Sequence, residues 1–180
     1  MTKLNLTICL LLLLTIQASA QRTMSRQPFV GADFIWSGAP SAQIRAGQYL
    51  QSSLWEASVS LTQMSKAIST GDRLHLADIT VGGDWQWRLV SNRSRSMNLY
   101  AGGGVFAGYE VYDPYGRLPD TLDHGLGKGR FIYGISADLS AEIFFCRRIA
   151  LVLGASTPLM FSSPVGWFRW EASAGIRFNL

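Results

Sequence analysis

Apolar and polar residues alternate along most of the chain after residue 27. The last segment has apolar side chains at every second position, namely Phe168, Trp170, Ala172, Ala174, Ile176, Phe178 and Leu180. The residues between them are polar, charged or small. Side chains on a strand point alternately to opposite faces, so this pattern predicts a strand with one apolar and one polar face. A helix would distribute the two sets around its circumference.

The same period of two recurs in four upstream segments, and it predicts an all-β protein. Two further segments are less regular. Arg45, Gln48 and Tyr49 interrupt the alternation between residues 44 and 50, and both faces are apolar between residues 149 and 155. Together with a first strand around Asp33, the pattern predicts eight strands. They are placed at residues 28–37, 42–51, 53–63, 74–90, 96–112, 129–146, 147–160 and 166–180.

The predicted connections indicate that neighbouring strands run antiparallel in up-and-down order. Short connections fall at residues 52–53, 91–96 and 146–147. The connections at the other end fall at residues 38–41, 63–73, 112–128 and 162–166. Outer-membrane barrels have short periplasmic turns and longer outer loops. The pattern therefore predicts an eight-stranded antiparallel barrel whose amino terminus starts on the periplasmic side.

Residues 1–20 have the features of a cleaved signal peptide. Lys3 gives a positive start, residues 4–16 are apolar, and residues 18–20 have the small-residue pattern ASA that precedes cleavage. The apolar stretch of about 13 residues is shorter than the ~20 that a helix needs to cross hydrocarbon. We therefore predict an exported protein with one β-barrel domain over residues 21–180.

Composition excludes several other classes of protein. The chain has 18 glycines and only 16% charged residues, which is typical of an all-β protein and not of a disordered one. Loss of Lys3 with the signal would lower the net charge of +4 by one. Because no basic run is interleaved with aromatic residues, direct nucleic-acid binding is not expected. Cys146 would remain as a single cysteine, predicted to be a packed small hydrophobe at a turn.

The charged residues of the predicted strands lie on the face opposite the apolar one. Both signs occur, so ion pairs could satisfy them inside a closed barrel. The ionisable residues assigned to this inner face are Glu56, Asp78, Asp84, Arg88, Glu110, Asp138, Glu142, Arg169, Glu171 and Arg177. The aromatic residues assigned to lipid are Trp55, Trp85, Trp87, Tyr109, Trp167, Phe168 and Trp170.

Alternation alone also allows a soluble lipocalin-like barrel with an apolar interior. The predicted signal and the aromatic-containing end at residues 177–180 favour the outer membrane.

No constellation of side chains predicts catalysis or metal binding. The two histidines, His75 and His124, have no serine and carboxylate at a spacing typical of a triad. The carboxylates of the longest connection, Asp113, Asp120 and Asp123, lack the spacing of a calcium-binding loop. Alternation follows the three glycines at 102–104, so they predict strand curvature or close packing of interior side chains. We predict no catalytic, cofactor-binding or metal-binding residue and no small-molecule substrate.

Several motifs of the carboxyl-terminal half occur in a recognisable order. The run from Gly102 to Glu110 has the sequence GGGVFAGYE, and further motifs follow at residues 131–134, 139–142 and 173–179. In order and spacing they resemble the TraO family of conjugative-transposon proteins from Bacteroidetes. Residues 96–180 carry most of the resemblance. The sequence departs from the family pattern at residues 113–128 and at Leu180, where such proteins end in an aromatic residue.

The resemblance implies a noncatalytic outer-membrane component of a conjugative-transposon transfer apparatus, a mating machine of the type IV secretion kind. Its expected partners are outer-membrane lipid and other envelope subunits of that apparatus. Two alternatives stay open. One is a general small barrel that acts as an adhesin or envelope stabiliser, and the other is a lipid-modifying enzyme that would use His75 and His124.

Overall fold

A computed structural model describes residues 26–37, 40–67, 73–112, 129–162 and 167–180. The predicted signal peptide and most of the predicted 112–128 loop lie outside these ranges. Within them, the chain forms strands and no helix. The strands are β1 (Pro28–Trp36), β2 (Pro40–Tyr49), β3 (Ser53–Ala67), β4 (Arg73–Ser91), β5 (Met97–Tyr112), β6 (Gly129–Phe144), β7 (Ile149–Met160) and β8 (Glu171–Asn179).

The strands form one closed antiparallel barrel in sequence order. Each strand pairs with the next, and β1 closes the ring by pairing with β8 from Phe29↔Asn179 to Trp36↔Ala172. Closure leaves no sheet edge with unsatisfied backbone groups, as a strand protein in lipid requires. The predicted eight-stranded up-and-down barrel is confirmed.

The eighth strand differs from the prediction near its outer end. The predicted eighth strand starts at residue 166, whereas β8 starts at Glu171. Before it, Phe168 forms an isolated bridge with Leu159, and the Arg169 amide donates to the Pro158 carbonyl at 3.2 Å. Proline has no amide hydrogen to donate in return, so one hydrogen bond of the ladder is missing at Pro158. Beyond it the two segments still pair in the same register, because the Met160 amide donates to the Trp167 carbonyl at 2.8 Å.

Side-chain exposure identifies which face of the sheet is inside. The seven aromatic residues predicted to face lipid are all exposed on the outer surface, whereas charged side chains such as Glu56, Glu110 and Glu142 are buried in the lumen. This arrangement is the inverse of a lipocalin-like barrel. The described residues contain no helix that is long and apolar enough to cross a membrane.

The interior is less uniformly ionic than the alternation predicts. Arg45 and Tyr49, which interrupt the pattern in the sequence, both point into the lumen and are buried. A cluster of apolar and aromatic side chains fills the lumen at the end that carries the short turns. Its members are Phe29, Tyr49, Leu54, Tyr100, Phe144 and Ala150. A core can form there because β7 is apolar on both faces, so that Ala150 and Val152 point inward.

Candidate functional site

Arg177 is the centre of an ion-pair network that lies directly above the apolar cluster. Its guanidinium is 2.7 Å from Glu56 Oε2 and also pairs with Glu142, and its side chain is almost fully buried. The Tyr49 hydroxyl donates to Glu142 at 2.8 Å. The guanidinium carbon of Arg177 lies 4.0 Å from the centre of the Phe29 ring, a cation–π contact. The alternation of β8 places Arg177 inward, and from there its guanidinium pairs with carboxylates of β3 and β6 across the lumen.

Arg45 extends this network across the first strands. Its Nε is 2.7 Å from Asp33 and its Nη1 is 3.0 Å from Glu56, so Glu56 is shared by two arginines. The Gln86 amide also donates to Glu56, at 3.3 Å. Buried charges are tolerated when they are paired and hydrogen-bonded in this way.

Arg169 forms a second cluster near the opposite end of the lumen. It pairs with Asp78 and, at 2.7 Å, with Glu110. Arg169 lies in the irregular segment that follows the interruption of the ladder at Pro158. All three side chains are buried, so this cluster obstructs the lumen at that level.

A cavity of about 90 Å³ lies between the two arginine clusters. Ser136 Oγ is 3.1 Å from an oxygen of Asp84 and 2.9 Å from an oxygen of Asp138, and Ser156 Oγ donates to Glu171 at 3.3 Å. Among the described residues, the ion pairs involve none of these three carboxylates. The cavity is polar and has room for water.

Close packing against interior carboxylates explains two glycines. A Cβ at Gly104 would lie 2.0 Å from Asp84 Oδ1 and 2.4 Å from the Gly83 carbonyl oxygen, and a Cβ at Gly175 would lie 2.3 Å from Asp33 Oδ1. The predicted close packing of interior side chains by glycines 102–104 is therefore confirmed at Gly104.

Replacement of Gly104 by Ala is expected to lower the free energy of unfolding by about 1–3 kcal/mol, because it overpacks the lumen at Asp84. Unfolding of the refolded protein in phospholipid vesicles, followed by tryptophan fluorescence, measures this change. Gly83→Ala is the matched control, since its Cβ would meet nothing closer than 3.9 Å. Equal stability of the two variants would contradict the packing argument.

Most of the residues considered for catalysis and metal binding lie outside the described part of the chain. His75 lies in β4 with its backbone opposite Ser65, and His124, Asp113, Asp120 and Asp123 lie outside the described residues. In the described part of the chain, no group of three His, Cys, Asp or Glu side chains could hold a metal ion. Cys146 lies in a turn as predicted, but the prediction that it is packed is wrong, because it is exposed.

Comparisons with known proteins agree with this architecture. The model of the protein family described as "Conjugative transposon protein TraO" matches residues 41–180. No curated protein matches the chain. The fold is similar to that of the outer membrane protein OprG from Pseudomonas aeruginosa, with a TM-score of 0.62 and 9% identity over 90% of this chain and 99% of that one.

Two further solved structures have the same fold. Neisserial surface protein A (NspA) has a TM-score of 0.60 and 15% identity, over 86% of this chain and 95% of that one. The N-terminal β-barrel domain of Pseudomonas aeruginosa OprF has a TM-score of 0.57 and 10% identity, over 87% of this chain and 98% of that one. At such identities the similarity shows the fold alone.

Proposed function

The chain belongs to the TraO family of conjugative transposon proteins, and from this membership we propose that it is a noncatalytic outer-membrane barrel of the element's transfer apparatus. In this role it would anchor other envelope subunits of a type IV secretion-like machine in the outer membrane. The single observation that carries the proposal is the family match, and the membrane-type barrel fold supports it.

The dimensions of the outer surface support insertion in the outer membrane. On β4 the outward positions from Ile79 to Trp87 are exposed, and Tyr109 lies opposite Ile79. Eight steps of ~3.4 Å along a strand tilted by about 40° span roughly 20 Å of the membrane normal. Apolar bands of outer-membrane barrels are about 25 Å tall and have aromatic residues at both borders. Trp87 and Tyr109 fit these borders.

The lumen supports a structural role and not a transport role. Eight-stranded barrels are just wide enough to be filled by side chains. Here the apolar cluster and the Arg177 network fill one end, and Arg169 with its two carboxylates obstructs the other. Because the interior side chains bind one another, we place the function on the surfaces outside the membrane.

Deletion of the gene tests the proposal. An in-frame deletion is expected to abolish transfer of the element, while growth and lipid composition stay normal and a plasmid copy restores transfer. Transfer of an unrelated conjugative plasmid from the same cells is the control. If the deletion mutant transfers the element at the normal frequency, the protein is a general envelope barrel and the proposal is wrong.

A further inference from the structure

The end of the barrel that carries the short turns is strongly cationic. Five exposed arginines lie there, and we refer to them together as the arginine rim. They are Arg26 before β1, Arg93 and Arg95 between β4 and β5, and Arg147 and Arg148 between β6 and β7. None of the ion pairs among the described residues involves them. No Asp or Glu occurs in these turns or at residues 50–52.

The turns of the arginine rim are joined by hydrogen bonds and form one surface. The Phe144 amide donates to the Ser96 carbonyl at 2.8 Å, which links the β4–β5 turn to the β6–β7 turn. Asn179 then donates through its side chain to the Arg147 carbonyl at 3.1 Å and through its amide to the Arg148 carbonyl at 2.8 Å. Four of the five charges therefore lie on adjacent turns.

Two members of the arginine rim have an unfavourable backbone conformation. Arg26 has φ of 68° and Arg95 has φ of 57°, and these are the two residues other than glycine with positive φ in the described part of the chain. A left-handed conformation costs a residue with a side chain roughly 1–2 kcal/mol, and glycine or asparagine would fit with less strain. Strained residues of this kind are associated with functional sites.

The position of the β4–β5 turn favours a protein partner over lipid. Ser91 follows Trp87, at the border of the apolar band, by four steps along the strand, which corresponds to about 10 Å along the membrane normal. The headgroup layer is only about 5–8 Å thick on each side. On this scale the turn that holds Arg93 and Arg95 reaches the outer edge of the headgroup layer. Leu89, Val90 and Met97 are also exposed on this hairpin, and a surface that combines arginine with large apolar side chains is typical of protein interfaces.

We propose that the arginine rim is the docking surface for an acidic segment of another envelope subunit encoded by the same element. This inference rests on the proposed function and specifies the partner of that role. The five unopposed positive charges would attract and orient a segment rich in Asp and Glu. The exposed side chains of Leu89, Val90 and Met97 would be covered by the same partner.

Charge reversal in the full-length protein in cells tests the proposal. The quadruple variant Arg93→Glu, Arg95→Glu, Arg147→Glu and Arg148→Glu is expected to reduce transfer of the element by about 100-fold or more, because like charges would then face each other. The matched control replaces the same four arginines by Lys and is expected to keep transfer within about threefold of wild type, because it keeps the charge. Heat-modifiable gel migration shows that both variants still form the barrel.

Cross-linking from Cys146 identifies what the surface binds. This cysteine is exposed in the same turn as Arg147, so a thiol-reactive photo-cross-linker attached there reports on the docked partner. The expected product is a peptide rich in Asp and Glu from another protein of the element, lost in the glutamate variant and kept in the lysine variant. A cross-link to phospholipid or peptidoglycan alone would overturn the proposal.

The outcomes separate the two proposals. If deletion of the gene leaves transfer normal, the proposed function is wrong. If deletion abolishes transfer but the assembled glutamate variant transfers normally, the barrel serves transfer and the docking surface is wrong. A glutamate variant that fails to assemble is replaced by the four corresponding Gln substitutions, for which transfer within threefold of wild type overturns the docking proposal.

Discussion

Replacement of Arg177 by Met is expected to lower the free energy of unfolding by about 3–5 kcal/mol, because it leaves the buried Glu142 without a cation and Glu56 with Arg45 alone. Arg177 is 1% exposed, and its partners Glu56 and Glu142 are 3% and 0% exposed. Methionine preserves most of the packing against Phe29 and Tyr49, so the effect measures the lost charge. The change is large compared with the 5–15 kcal/mol that stabilises a typical domain.

Urea unfolding in phospholipid vesicles, followed by tryptophan fluorescence and by heat-modifiable migration, measures the effect of Arg177→Met. Arg148→Met is the control, since this arginine is exposed in a turn and its loss is expected to change stability by no more than about 0.5 kcal/mol. Adding Glu142→Gln to Arg177→Met is expected to recover most of the loss, because the carboxylate that has lost its cation is then neutral. Equal unfolding midpoints for Arg177→Met and the control would mean that the network does not stabilise the barrel.

The ionic interior also fixes the register of the strands. Successive side chains alternate between the two faces, so a slip of one residue would move Glu142 or Arg177 into the lipid and an apolar neighbour into the lumen. If the lumen were filled with apolar residues, the native register and the register shifted by one residue would have similar free energies. The charges of the lumen therefore select one pairing of strands, in addition to any stability that they provide.

The number, order and orientation of the strands could be predicted because a membrane barrel imposes a strict period of two. Lipid requires apolar side chains on one face, and a narrow lumen favours polar ones on the other. Glu142 on β6 and Arg177 on β8 follow this rule, and so do Trp85 and Trp87 on β4. The predicted strand ends were less accurate where a single residue interrupts the hydrogen bonds between two strands, as Pro158 does between β7 and β8.

The contents of the lumen could not be predicted in the same way, because they depend on how the strands are staggered around the ring. Arg177 and Glu142 are 35 residues apart in sequence, and Arg45 reaches Glu56 on the next strand. Arg45 and Tyr49 therefore appeared in the sequence as interruptions of an apolar pattern, although they belong to the interior. The short turns that carry the arginine rim were predicted to lie at one end of the barrel, but only the closed barrel shows which of them are hydrogen-bonded to one another.

Replacement of Val81 by Arg is expected to destabilise the barrel in vesicles by about 2–4 kcal/mol, because it puts a charge near the middle of the apolar band. Val81 is 58% exposed and lies between Val59 and Ala107 on the neighbouring strands. The cost of an arginine on the lipid-facing surface falls to about 0–1 kcal/mol near the borders of the membrane. The effect therefore depends on depth and not on exposure.

Val90→Arg is the matched control for this dependence on depth. Val90 is on the same strand and is 61% exposed, but it lies beyond Trp87 and outside the apolar band. Urea unfolding of both variants in the same vesicles gives the difference directly. A cost of several kcal/mol at Val81 with little cost at Val90 fits hydrocarbon around the middle of the barrel. If Val81→Arg is as stable as wild type, water surrounds that surface, and the outer-membrane position proposed for this barrel is wrong.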